Sequence, residues 1–223
     1  MTITDSENQL VIDMKESHVA VLVMERPDTF SDFVYKFAAQ CEGSPGDIVL
    51  SEDGKILPIS KNAVIVSDYY SLDLNSRQIQ GRLYQQLNDL AGDLSIEKSG
   101  FTSQGICMME KLLDMSLFDH VTYDLELDWN NIFKMFKVRI EEDYLTLSEK
   151  LISFMRVCKE LMGFKLLVLV NLKSYLTGES LHEIYKMANY LDLNILLLEH
   201  GESEKVEGEK IYIIDKDKCI IIK

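Results

Sequence analysis

"KLLVLVNLKSYLTGESLHEIYKMANYLDLNILLLEH", residues 165–200, is the stretch that decides the fold. Leu166–Val170 is apolar at every position, and so is Ile195–Leu198. A strand with one wet face alternates apolar and polar side chains, whereas an unbroken apolar run needs cover on both faces. Between the two runs, "ESLHEIYKMANYL" (179–191) reads as a helix. Strand, crossover helix and strand make a βαβ unit, so the two strands are parallel and the class is α/β. The first strand ends in Asn171, where the second core strand of a nucleotide hydrolase often carries an acidic residue to hold magnesium. The alternatives for this position are a working site, the relic of one, or an ordinary buried strand whose Asn caps the next turn.

Working outward, "HVAVLVME" (18–25) and "AVIVSD" (63–68) are two further buried strands. A helix follows Pro27-Asp28, with Phe30, Phe33, Val34 and Phe37 on one face. "GDIVLSEDGKILPI" (46–59) is a hairpin turning at Asp53-Gly54. "LNSRQIQGRLYQQLNDL" is helical, with Asn75 or Ser76 as cap and Ile79, Leu83, Leu87 and Leu90 as its stripe. A helix over 101–119 carries Ile106, Met109, Leu113 and Leu117, and "NNIFKMF" is a short one. Residues 145–162 are the clearest amphipathic helix, ended by Gly163. "EGEKIYIIDKDKCIIIK" closes as a hairpin at the sheet edge, turning at 215–218. Strands therefore sit at both chain ends and helices in the middle. The expected architecture is an α/β head from residues 1–74 and 163–223, built around one sheet, with a mainly helical inserted leg at 75–162.

With 47% apolar and 27% charged residues, the 223-residue chain is globular. No apolar run is long enough to span a bilayer, and "MTITDSENQL" has neither the basic start nor the apolar core of a signal peptide. Cys41, Cys107, Cys158 and Cys219 are scattered, as expected of reduced thiols in the cytoplasm. His182-Glu183 does not begin an HExxH motif, because Lys186 stands at the second ligand position. The net charge of −14 argues against nucleic acid as a partner, but the charge is uneven. Lys134, Lys137, Arg139, Lys150, Arg156, Lys159, Lys165 and Lys173 outnumber the acids of the same stretch. A basic surface on an acidic protein follows, and local field matters more than the total.

A phosphate-binding GxxxxGK[ST] loop is missing: Gly54-Lys55 has Val49 and Ile56 where Gly and Ser/Thr are required. Asp68, Asp73 and Asn75 follow a strand end, where they either gather around a cation or cap local turns. "DLELD" (124–128) sets three carboxylates on one face of an extended segment. That is either a solvated acidic face or a site for a hard cation with oxygen ligands, calcium above all. It is not an EF-hand, because Trp129 and Met135 replace the required Gly and Glu. Beside it, "KMFKVR" (Lys134, Lys137, Arg139) is either a phosphate-facing patch or ordinary surface solvation.

Three stretches together resemble one family: "IVSDYYSLDLNS", then "YDLELD" ahead of "VRIEED", then "KLLVLVNLKSYLTGES…LNILLLEH" with "IYIIDKDKCIII". In this order and spacing they are similar to the Csn accessory proteins of type II-A CRISPR–Cas loci, as a divergent branch. The resemblance implies a head related to P-loop ATPases without a working Walker motif, a helical leg, and no catalysis. It implies a homotetrameric ring that threads double-stranded DNA ends through a lysine-lined hole without sequence specificity. Calcium would stabilise the ring, and the integrase and RNA-guided nuclease proteins of the same locus would be partners. By resemblance to the family's "DLE-x-D" stretch, Glu126 and Asp128 are the metal-ligand candidates, with Asp124 a weaker one. Lys134, Lys137, Arg139 and Lys173 are DNA-contact candidates from local charge. The competing expectations are a metal-dependent nuclease or degenerate NTPase using Asp68, Glu126 and Asp128, and a structural interaction module without DNA contact.

Overall fold

The computed structural model describes residues 1–117, 120–124 and 127–223. Its contacts divide the chain into two compact units, Met1–Leu74 with Glu142–Lys223, and Asn75–Glu141. In the first unit, a six-stranded sheet contains β3 (Val19–Met24), β6 (Ala63–Val66), β7 (Leu166–Val170), β8 (Asn194–Glu199), β9 (Lys210–Ile214) and β10 (Ile220–Ile222). The order across the sheet is β10-β9-β3-β8-β7-β6. All neighbours are parallel except β10, which turns back antiparallel on β9. A second sheet, antiparallel throughout, has the order β2-β1-β4-β5, from β1 (Thr2–Asp5), β2 (Leu10–Asp13), β4 (Ile48–Glu52) and β5 (Lys55–Leu57).

Both faces of the parallel sheet are buried, as the unbroken apolar runs require. One face, through Leu22, Val168, Leu196 and Tyr212, shares a core with α1 (Pro27–Cys41) and with the small sheet. Helix α1 contributes Phe33 and Phe37, and the small sheet Ile3, Leu10, Ile12 and Leu50. On the other face Leu167, Leu169, Ile195 and Leu197 are equally buried. Helices α6 (Leu147–Arg156) and α7 (Gly178–Leu191) pack on each other, and α7 packs on β8. Helix α6 starts in a capping box, with the Thr146 hydroxyl accepting from the Glu149 N–H and the Glu149 carboxylate accepting from Thr146. It widens into a π-turn at Val157–Leu161 and stops at Gly163, whose φ of 73° suits glycine.

Two expectations change. The N-terminal stretch forms the β1–β2 hairpin, so the first unit has two sheets. Its strands are four residues each, and "TITD" pairs with the distant β4 as well as with β2, which short-range pattern does not reveal. The junction expected at 162 lies at 141/142, because α6 belongs by its contacts with the sheet unit.

The second unit contains α3 (Arg77–Leu90), α4 (Ser95–Asp114) and α5 (Trp129–Met135), with a short α2 (Ile59–Asn62) remaining in the first. Neither Asn75 nor Ser76 caps α3 through its side chain. Asn75 instead bonds the backbone of Ile140 twice, giving from Nδ2 at 2.9 Å and accepting at Oδ1 at 2.8 Å. Helix α4 begins six residues before the expected start and buries no residue, and Leu117, beyond its end, is 97% exposed. No described helix is long and apolar enough to cross a membrane.

Phe37 is fully buried where α1, the small sheet and the large sheet share their core. Phe37→Ala is expected to cost about 3–5 kcal/mol in urea unfolding, the range for an aromatic cavity that relaxes incompletely.

Candidate functional site

The carboxyl ends of parallel strands are where α/β folds hold ligands, at the point where strand order reverses. Here that point lies between β3, whose chain leads to β6, and β8, whose chain leads to β9 on the opposite side. Side chains of the protein itself occupy it. Helix α1, which follows β3, opens with Pro27, which has no N–H to offer. The Asp28 carboxylate accepts from the Thr29 N–H at 2.9 Å and is gripped by Arg26 through Nε at 3.0 Å and Nη2 at 2.6 Å. Arg26 and these hydrogen bonds hold the Asp28 carboxyl down at about 2. A helix N-terminus is a ready anion site only while its donors are free, and here a resident carboxylate uses them.

Asn171, at the end of β7, is in the left-handed region with φ 53°, which Asn tolerates better than most residues. The turn it makes aims the amides of Leu172 and Lys173 at the Glu199 carboxylate, the Lys173 N–H reaching Oε1 at 3.0 Å. Successive amides converging on an anion form a nest, filled here by Glu199 from the end of β8.

Next to it lies a second buried carboxylate. Glu209 accepts the ammonium of Lys173 at 2.8 and 2.9 Å on its two oxygens, the Tyr185 hydroxyl at 2.6 Å and the Val206 N–H at 3.0 Å. The side chains of Lys173 and Glu209 are only 5% and 0% exposed. Burial pushes the Glu199 carboxyl up to about 7, with the Lys173 amide and ammonium pulling the other way and Glu209 adding to the rise. Burial and Glu209 likewise raise the Tyr185 phenol.

The expectation that Lys173 faces DNA is corrected by this geometry. Its ammonium is spent inside the protein on Glu209 and on the Glu204 carbonyl at 3.1 Å. The cluster escapes the sequence because Lys173, Tyr185, Glu199 and Glu209 lie on four different segments. The one local signal is a Glu closing an otherwise apolar strand. Asp68 is also engaged: its carboxylate accepts the amides of Tyr70 and Ser71 and the Ser71 hydroxyl. These bonds hold its carboxyl below the usual range and make it a turn cap.

In the second unit, Lys134, Lys137 and Arg139 are all exposed, and none is ion-paired with a described residue. The local sequence positions them. Asp128 caps α5 by accepting the Asn131 N–H at 2.6 Å. The far end closes in a Schellman turn, with Lys137 N–H to Lys134 O at 3.0 Å and Val138 N–H to Phe133 O at 2.9 Å. Lys137 takes the left-handed position with φ 51°, where glycine is usual. Phe133, stacked on Trp129 and tilted against Tyr84, anchors the helix.

Of the metal-ligand candidates, Asp124 and Asp128 are exposed on the segment before α5, and Glu126 lies outside the described residues. Among the described residues no three His, Cys, Asp or Glu side chains converge as a metal site. The donor chemistry fits a hard cation, since Asp124 and Asp128 offer only oxygen, but one Asp128 oxygen is already spent on the α5 cap.

Lys173→Ala is expected to lower unfolding stability by about 3–5 kcal/mol, because it leaves Glu209 charged and buried without its partner. Glu199 sets a pH dependence. Between its ordinary value of 4.5 and about 7 the folded chain keeps a proton that the unfolded chain has lost. Stability contributed by this group therefore falls as pH rises through that window, with a slope of at most about 1.4 kcal/mol per pH unit. Chemical denaturation at pH 5 to 8 is expected to show this segment in the native chain and not in Glu199→Gln.

The family model for CRISPR-associated protein (Cas_Csn2) matches residues 40–218. The chain is similar to the CRISPR-associated protein Csn2 of Enterococcus faecalis, with 32% identity over 162 residues, 69% of each chain. It is similar to the protein of the same name from Streptococcus agalactiae, with 24% identity over 214 residues, 92% of this chain and 91% of that one. These matches span the parallel sheet, the cluster at its carboxyl edge and the whole second unit: the chain belongs to the CRISPR-associated Csn2 family.

Proposed function

We propose that this protein is a non-catalytic, sequence-independent binder of double-stranded DNA ends, acting in CRISPR spacer acquisition as a calcium-stabilised homotetrameric ring in the cytoplasm. The observation that carries the reading is family membership over most of the chain. Lys134, Lys137 and Arg139 support it, as three exposed cations held by one capped helix and the turn after it on a chain of net charge −14. Phosphate contact by such a patch is electrostatic and blind to sequence.

Calcium is the cation that Asp124, Glu126 and Asp128 would hold, and it would neutralise like charges that otherwise repel. The integrase and RNA-guided nuclease proteins of the same locus are the partners. The first unit is read as an ATPase-like head that has lost its phosphate site. The switch point between β3 and β8 and the helix after β3 support the ancestry. The Asp28 carboxylate on the α1 N-terminus supports the loss of nucleotide binding.

Gel shifts of linear duplex, repeated over a range of salt, test the DNA reading. Retention is expected to weaken with salt, and K134A, K137G and R139A together are expected to lower the slope of log K against log salt by about 3, one per cation removed. Glycine at 137 is chosen because the left-handed cap accepts it, so lost binding would not reflect lost folding. Equal retention of closed circular DNA would sink the end-threading reading. Sedimentation with and without calcium is expected to show the mass of four chains only with the ion, and D124N with D128N is expected to lose that response.

A further inference from the structure

The loop between β8 and β9, residues 200–209, is fastened to the carboxyl edge of the sheet at one place. Lys173 Nζ bonds the Glu204 carbonyl at 3.1 Å and the Glu209 carboxylate at 2.8 Å. Glu209 in turn accepts the Val206 N–H at 3.0 Å, closing the loop on itself. The groups facing this fastening are few. The turn after β7 brings Lys173, β8 ends in Glu199, the start of β9 brings Glu209, α7 brings Tyr185, and the segment after β6 brings Tyr69. Tyr69 is buried with its hydroxyl donating to the Val170 carbonyl at 2.8 Å, so its phenol is committed.

The buried side chains here therefore comprise two carboxylates and one ammonium. Two ionised carboxylates on one ammonium would leave a net negative charge out of water, which is expensive, so one carboxylate takes a proton. Glu209 holds the ammonium, a hydroxyl and an amide, all donors. A proton on it would have to displace one of them. Glu199 holds backbone amides, with the ammonium engaged elsewhere, so the proton sits on Glu199.

We propose that the Glu199–Lys173–Glu209 cluster is a proton-operated latch on the 200–209 loop. With a proton on Glu199, Lys173 belongs to Glu209 and Glu204 and the loop is closed. When that proton leaves to water, the new charge on Glu199 competes with Glu209 for the same ammonium, and the Lys173 bonds that fasten the loop weaken. Raising the pH therefore opens the loop, which forms one wall of a cleft lined by Lys173, Gly178, Glu179, His182, Lys205 and Glu207. The buried position of Glu199 sets the response in the neutral range, where a small change in pH moves the population.

Hydrogen–deuterium exchange of the 201–208 amides in the full chain, from pH 5.5 to 8.5, tests this. Labelling times are scaled to remove the intrinsic pH dependence of exchange. Exchange is expected to accelerate as pH rises, by at most about tenfold per pH unit, the limit for one linked proton. Glu199→Gln keeps the amide acceptor without the proton and is expected to hold the loop closed at every pH. His182→Gln, a control for the histidine lining the cleft, is expected to leave the response intact. A flat profile in the native chain, the native profile in Glu199→Gln, or loss of the response in His182→Gln would each overturn the latch. Carbon-13 detection of the Glu199 carboxyl provides a reading free of any variant: a titration midpoint in the ordinary glutamate range would also overturn it.

Discussion

The constraint on which the first unit depends is that β3, β7 and β8 are apolar on both faces. Such strands are stable only as the middle layer of three. The chain meets this with α1 and the antiparallel sheet over one face and with α6 and α7 over the other. Helix α6 follows the inserted unit in the chain yet belongs to the sheet's cover. That explains why the compact boundary falls at 141/142, ahead of the helix, and why Asn75 ties back to Ile140 just inside it.

Stacking apolar layers leaves the polar ends of the strands as the problem to be solved. At the carboxyl edge the solution is internal. Asp28 occupies the α1 N-terminus, Glu199 fills the amide nest after β7, and Lys173 neutralises Glu209. An edge that in many α/β proteins waits for a phosphate is here closed by the protein's own carboxylates. The cost is an odd buried negative charge, and a proton on Glu199 is the simplest way to remove it. The basic residues left for an external polyanion lie in the other unit, on α5 and the turn after it.

Much of this was legible in the sequence. The βαβ stretch, the Asp53-Gly54 hairpin, the helix after Pro27 and the stop at Gly163 each rest on local chemistry, a period, a turn residue or a cap, and each is found. Lys134, Lys137 and Arg139 could be picked out because they are close in sequence. The β1–β2 hairpin was missed because four-residue strands with polar alternation carry little signal without the partner β4. The assignment of Lys173 failed for a related reason. A charged residue in a loop after a strand looks exposed until the fold brings Glu209, thirty-six residues later, against it.

The sequence by itself determined the α/β class, the strands of the sheet and the family, because these depend on patterns within a few residues and on their order along the chain. Asn171 marks where that information ended. Its place at the end of a buried strand could be read directly, but its left-handed turn and the Glu199 carboxylate it serves could not. Only the tertiary structure decided which charges are internal and which are surface. Burial and pairing are properties of segments that meet in space, and a lysine's chemistry depends on whether water or a carboxylate surrounds it.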